Sequence, residues 1–241
     1  MSSHNPATSG KVTLDGQNVW ENEEALKHIC FARELNANGN NTLAATKVKE
    51  YLRVASIYLP FWDQDMANRL IQKFNLDPKK KIGKLSKGMA SMLTIVVALA
   101  SKADFTFLDE PVSGLDVVAR EQFYRLLVDE FTETGRTFVI SSHIIEEAAD
   151  LFEEVIILKE GRILLKENTQ ELLESSVYVT GKSEDVDEAV KGYELHHQEK
   201  IGRSKGVMVR LKEGQAVDST KVTVQPMSLQ KVFVSLCGEE E

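Results

Sequence analysis

The 241 residues carry 42% hydrophobic and 27% charged side chains, the balance of a globular protein with one sizeable core and room for a small second unit. A formal net charge of −8, spread along the chain, argues against the basic stripe by which general nucleic-acid binders hold phosphate. Cys30 and Cys237 stand far apart with no Cys-x-x-Cys partner, which fits a reduced, cytosolic protein and not a disulfide framework.

The opening MSSHNPATSG lacks the basic-then-apolar order of a secretory signal. Residues 11–15 alternate and predict a strand closed by a turn at Gly16, and LKHICF (26–31) predicts another short strand. Asn36 to Asn41, NANGNN, is a loop by composition. From Thr42 to about Ala100 the apolar spacing becomes helical. Asp63 caps a helix whose apolar face is Met66, Leu70, Ile71 and Phe74, ended by Asp77-Pro78. Ser86 stands as N-cap before Met89 to Ala100, a segment apolar on all sides and therefore a buried helix. The longest apolar stretch, Met92 to Ala100, is far shorter than a membrane span, so work at a membrane would run through a partner.

Phe105 to Leu108 is a continuous apolar run of the kind found in a parallel sheet covered on both faces. A helix from about Val117 to Glu133 presents Phe123, Leu126, Leu127 and Phe131 and stops at Gly135. TFVIS (137–141) is a strand, IIEEAADLF (144–152) a helix, and EVIILKEGRILLKE a hairpin turning at Glu160-Gly161. Strands alternating with helices predict a parallel α/β sheet. After about Ser175 the texture changes. VYVTG, a helix near Val186 to Val190, GVMVRLK, KVTVQ and a closing helix SLQKVFVSL predict a small α+β unit.

The stretch FTFLDEPVSGLD ends its apolar strand in two acids, Asp109 and Glu110. In an α/β sheet the carboxyl ends of the strands open onto the ligand crevice. An acidic pair there can meet a metal and a phosphate, or can simply carry the strand out to solvent. Ser86 and Gly88 in LSKGM (85–89) begin the buried helix. Backbone N–H groups and the helix dipole favour an anion there, and glycine permits its close approach, although an ordinary capped helix has the same pattern.

Taken with SGLD (113–116) and SSH (141–143), in this order and spacing, these segments resemble the ATP-binding subunit of an ABC transporter. LSKGM matches the signature, Phe105 to Glu110 the Walker B strand, Ser113 to Asp116 the D-loop, and His143 the switch histidine. The resemblance covers about residues 10–170, and SLQKVFVSL is similar to the C-terminal extension of bacterial export-type subunits.

The resemblance implies a P-loop NTPase-like α/β fold over residues 1–172, with a helical subdomain at about 42–100, followed by a C-terminal α+β extension over 173–241. It implies ATP and Mg²⁺ as cofactors, with Asp109 holding the ion through water and Glu110 polarising the attacking water. His143 would contact the γ-phosphate through its imidazole. Ser86, Lys87 and Gly88 would face ATP held by a second ATP-binding subunit in a head-to-tail dimer, with Asp116 in the D-loop beside them. Glu34 falls at the Q-loop position, where glutamine is usual. Lys87 and Met89 replace the common glycine and glutamine of the signature, and Lys87 either adds positive charge near the phosphates or is a solvated surface residue. A transmembrane permease is the implied further partner, with the subunit peripheral on the inner face of the cell membrane. Tyr58, Phe61 and Trp62 of IYLPFWD would line the permease-facing groove or pack in the core. His4, His28, His196 and His197 take no role.

The phosphate loop G-x-x-x-x-G-K-[ST] does not occur. Gly181-Lys182-Ser183 has Ser176 in the first-glycine position, strand-forming residues between, and the wrong place in the motif order. Gly10-Lys11 is followed by Val12 and has Asn5 in the first-glycine position. NPATSGKVTLDG resembles the segment that follows the Walker A helix, so the expectation is a chain truncated just downstream of that loop. The intact acids, D-loop and His143 favour this over a subunit that has lost the loop. The expected function is ATP hydrolysis powering export through a separate membrane subunit. The alternative is a catalytically degenerate partner that only donates the signature to another subunit's ATP. ABC ATPases of DNA repair and translation usually carry a coiled-coil insertion or tandem cassettes, and neither occurs in these residues.

Overall fold

A computed structural model describes residues 6–35, 42–146 and 149–238. The chain divides into two compact units, Met1–His143 and Ile144–Glu241, a division that falls earlier than the boundary expected at residues 172–173.

In the first unit, β1 (Thr13–Leu14) and β2 (Gln17–Asn18) form a hairpin around Asp15-Gly16. Both turn residues have positive φ, 49° and 81°, the mirror-image turn that matches strand twist and suits Asp-Gly. A helical turn, α1 (Glu23–Leu26), then leads into β3 (Ile29–Ala32). The strand expected over 26–31 therefore starts later. Asn22 caps α1 by accepting the Ala25 N–H at 3.4 Å, and Glu23 and Glu24 favour the positive end of its dipole. The loop expected at 36–41 lies outside the described residues.

The helical stretch is α2 (Thr42–Ala45), α3 (Val48–Tyr58), α4 (Gln64–Lys73), a 3₁₀ turn at Ile82–Lys84 and α5 (Lys87–Ala100). Asp63 caps α4 as the spacing predicts, accepting the Met66 N–H at 2.8 Å. The helix ends ahead of Asp77-Pro78 because Asn75 turns left-handed, with φ of 50°. α5 packs on α4, β3 and β4 and buries Leu93, Ile95, Val96 and Leu99 completely. The remaining elements are β4 (Phe105–Asp109), α6 (Val117–Thr134) and β5 (Thr137–Ser141), with Gly135 as the left-handed C-cap of α6.

Strands β3, β4 and β5 form a parallel sheet in that order, with Ala32 beside Leu108 and Leu108 beside Ile140. Their carboxyl ends are therefore level, and the residues just beyond emerge along one rim. At the opposite end of the strands, Glu130 is buried and accepts Lys102 Nζ at 2.7 and 3.0 Å. Arg136 Nη2 lies 3.1 Å from the same carboxylate and donates to the Leu99 carbonyl at 2.8 Å. The Arg136 guanidinium covers the Phe138 ring at 4.7 Å.

The second unit opens with a 3₁₀ turn at Ala149–Leu151, the only helical part of the segment 144–152 among the described residues; 147–148 lie outside them. Ile145, Ala149 and Phe152 pack against the core of this unit, on the spacing that marked a buried face in the sequence. β6 (Glu154–Lys159) and β7 (Arg162–Asn168) form the expected hairpin about Glu160-Gly161. There follow α7 (Thr169–Glu174), β8 (Ser176–Lys182), α8 (Ser183–Ala189), β9 (Glu194–Ile201), β10 (Ser204–Arg210), β11 (Thr223–Pro226) and α9 (Leu229–Cys237).

The sheet order β11-β8-β10-β9, antiparallel throughout, is that of a split β-α-β unit. Val179, Val207 and Val209 pack with Val186 and Val190, in and just after α8. Met208 packs with Leu172 of α7 and with Leu229 and Val232 of α9. Strand β9 is absent from the sequence-based expectation because ELHHQEKI is almost wholly polar, as an edge strand can be. Gly181-Lys182-Ser183 runs from the end of β8 into α8, so it forms no phosphate loop.

Candidate active site

The level rim of the parallel sheet brings two of the predicted residues into direct contact. Asp109 ends β4 and Ser141 ends β5, side by side in register, and the Ser141 hydroxyl donates to Asp109 Oδ1 at 2.6 Å. One residue on, Glu110 leaves the strand with φ of 47°, its own N–H bonded to the Ser141 carbonyl at 3.0 Å. A side chain other than glycine occupies that backbone region only when its surroundings hold it. Here the result is that Glu110 Oε1 lies 2.8 Å from His143 Nδ1. Oε2 of Glu110 is enclosed and has no hydrogen-bond partner among the described residues. The His143 ring is three-quarters exposed, whereas the Glu110 side chain is one-third exposed.

The start of α5 is fixed against the loop that follows these acids. Ser86 caps the helix, accepting the Met89 N–H at 3.2 Å. Ser91 Oγ, one turn on, donates to the Ser113 carbonyl at 2.6 Å. A Cβ at Gly88 would lie 2.6 Å from the Gly114 carbonyl oxygen, closer than real Cβ atoms come, so the two backbones meet here only because residue 88 is glycine. Gly114 itself has φ of 77°, and the Lys87 stem covers it. Lys87 Nζ reaches Glu34 Oε1, just beyond β3, at 3.6 Å. Asp116 serves as the N-cap of α6, accepting the Ala119 N–H at 2.8 Å.

Two groups, Glu110–His143 and Asp109–Ser141, thus share the rim, while Ser86, Lys87 and Gly88 stand at the start of α5 against the backbone of Ser113 and Gly114. Ser141 and Ser91 are the site residues the sequence reading missed. Both strands were legible in the sequence, but the register that puts the residue ending β5 beside the one ending β4 was not. Of the aromatic stretch, Tyr58 is 79% and Phe61 45% exposed, while Trp62 is half-buried and its indole N–H donates to Gln64 Oε1 at 3.1 Å. Tyr58 and Phe61 are therefore not core residues of this unit.

The family described as "AAA domain, putative AbiEii toxin, Type IV TA system" matches residues 29–149, half of the chain. The chain belongs to this AAA-domain family and has the fold of its P-loop nucleotide triphosphatases. Bacitracin transport ATP-binding protein BcrA of Bacillus licheniformis is 29% identical over 96% of this chain and 80% of its own length. The ABC transporter ATP-binding protein YtrB of Bacillus subtilis (strain 168) is 23% identical, with the same shares of each chain covered. A solved ATP-binding subunit of an ABC transporter aligns with a TM-score of 0.58 at 21% identity, covering 69% of this chain and 70% of that one. The chain's relatives are ABC transporter ATP-binding proteins. Its relatives include proteins named for import as well as for export.

Proposed function

We propose that this chain is the ATP-hydrolysing subunit of an ABC transporter of the export type, working as a dimer of ATP-binding subunits beneath a transmembrane permease. The observation that supports this best is the Glu110–His143 pair at the rim of the parallel sheet, with a carboxylate oxygen enclosed and lacking a protein partner. A carboxylate in that setting is a general base awaiting a donor, and a water would supply it. Contact with Nδ1 of His143 orients the imidazole beside the carboxylate, and its exposure leaves the ring open to a substrate phosphate.

The donor set suits Mg-ATP. Asp109 offers a hard oxygen ligand whose carboxylate is fixed by Ser141, and Ser86 and Gly88 present N–H groups at a helix start. Bound magnesium would neutralise charge on the phosphate oxygens. The residues of this chain would hold it at Asp109, withdraw the water proton at Glu110, and offer Ser86, Lys87 and Gly88 to ATP on the other subunit. Glu34 occupies the Q-loop position and Asp116 fixes the D-loop by capping α6.

The export assignment rests on the similarity of the closing segment SLQKVFVSL to export-type subunits. No helix among the described residues is long and apolar enough to cross a membrane, and the proposed place is the inner membrane face, with Tyr58 and Phe61 toward the permease.

A second reading is favoured by one observation. Within these 241 residues there is no G-x-x-x-x-G-K-[ST] loop, so a subunit made of them alone would donate only its signature helix to a partner's ATP. Mg-ATP hydrolysis by the assembled transporter separates the readings. Glu110→Gln is expected to lower kcat by about 10²-fold or more, the usual contribution of a positioned general base. Equal rates in wild type and variant would remove Glu110 from the reaction. Firm ATP binding by the isolated 241-residue chain would contradict the second reading.

A further inference from the structure

The pair Lys87–Glu34 links three segments of the site. Lys87 is the first residue of α5, its stem lies over Gly114, and its ammonium reaches Glu34 beyond β3. Both side chains are more than half exposed, 57% and 54%, so water surrounds the pair and the contact is weak and exchangeable. Lys87 also stands at the helix terminus where an anion gains most and a cation least, so the helix itself disfavours the ammonium. The stem, in contrast, is confined between α5 and the D-loop. The head group is therefore held near the start of α5 by the packing of its stem and by the charge of Glu34.

We propose that Lys87 and Glu34 form an exchangeable counter-ion pair that sets the affinity of the signature helix for the polyphosphate of ATP. This rests on the site reading given above. In the nucleotide-free subunit Glu34 occupies the ammonium; when a polyphosphate arrives at the start of α5, Lys87 leaves Glu34 for the phosphate oxygens. Lys87 is then a direct phosphate contact, and Glu34 is a positioning residue that competes for it. The two residues have opposite effects. Removing the cation weakens nucleotide binding, whereas removing the competing carboxylate strengthens it. A Glu34 that held the metal itself would show the reverse sign, because its loss would weaken binding.

The test uses the assembled transporter, with KM and kcat for Mg-ATP measured for wild type, Lys87→Met, Glu34→Gln and the double variant at low and high salt. Lys87→Met is expected to raise KM about two- to fivefold, the range of an exposed charge contact. Glu34→Gln should lower KM by a similar factor, and the double variant should match Lys87→Met. Both shifts should shrink in about 1 M salt, where the screening length falls to about 3 Å. The proposal is overturned if Glu34→Gln raises KM, or if neither variant moves it while wild type hydrolyses normally. The site reading survives those outcomes. A wild-type assembly that neither binds nor hydrolyses Mg-ATP would refute both together.

Discussion

Glu130→Ala tests the strongest electrostatic feature of the first unit. The Glu130 side chain is 1% exposed, Arg136 4% and Lys102 24%, so the substitution leaves one fully buried guanidinium and one half-buried ammonium facing a cavity. Burial already lowers the Arg136 pKa, and attraction to Glu130 is the first of the charge effects that oppose it. Breaking a buried pair by removing one partner costs about 3–5 kcal/mol, because the remaining charge has lost its compensation. Against a total stability of roughly 5–15 kcal/mol, that is a large fraction. At about 2–4 °C per kcal/mol for a chain of this size, Tm should fall by about 6–20 °C. Thermal and urea unfolding followed by circular dichroism would measure it, with Glu130→Gln, which keeps the volume and one acceptor, expected between wild type and alanine. A loss below about 1 kcal/mol for Glu130→Ala would refute the claim that this carboxylate compensates a buried and a half-buried cation.

Three further outcomes follow from the geometry. Gly88→Ala forces a methyl against the Gly114 carbonyl at 2.6 Å, a contact costing about 1–3 kcal/mol that the better helix propensity of alanine, about 1 kcal/mol, partly offsets. The net loss of stability should be no more than about 2 kcal/mol, and ATPase activity should fall as the start of α5 is pushed from Gly114; unchanged activity would show that the α5 start need not touch that backbone. Asp116→Ala should cost about 1 kcal/mol by removing the α6 cap, and Asp116→Asn should restore it, since asparagine caps as well. Cys30 and Tyr51 both have pKa values raised chiefly by burial, so the folded state keeps protons that the unfolded state releases. Stability is then intact well below the unfolded thiol pKa of about 8.5 and declines as pH rises through it. Unfolding midpoints at pH 8, 9 and 10 would check the sign, and Cys30→Ala should decline less steeply.

Much of the first unit was legible because its signals are local. Asp63, Ser86 and Gly135 carry cap chemistry, Asp15-Gly16 carries turn chemistry, and Phe105 to Leu108 is apolar without a break. The acids were legible as a pair because they end that run. Their partners were not, since Ser141 reaches Asp109 and Lys87 reaches Glu34 across strand and helix contacts that no local pattern encodes. The left-handed backbone of Glu110, which presents its carboxylate to His143, also has no local signature, because glutamate rarely adopts it. In the second unit β9 was hidden by its polarity, and in the first α1 was hidden by the apolar residues that follow it.

The level rim of β3, β4 and β5 has a consequence for which changes of length the protein can tolerate. Adjacent strands lie about 4.8 Å apart, so Glu34, Glu110 and His143 follow three neighbouring lanes whose stops must coincide. One residue inserted between Phe105 and Leu108 would carry the acids past the rim and turn alternate side chains to the opposite face of the sheet. Deletion from β5 would draw Ser141 back from Asp109 in the same way. The hairpin turn at Asp15-Gly16 has no such constraint. Insertions and deletions among natural variants should therefore collect in turns of that kind and spare the lengths of the three strands.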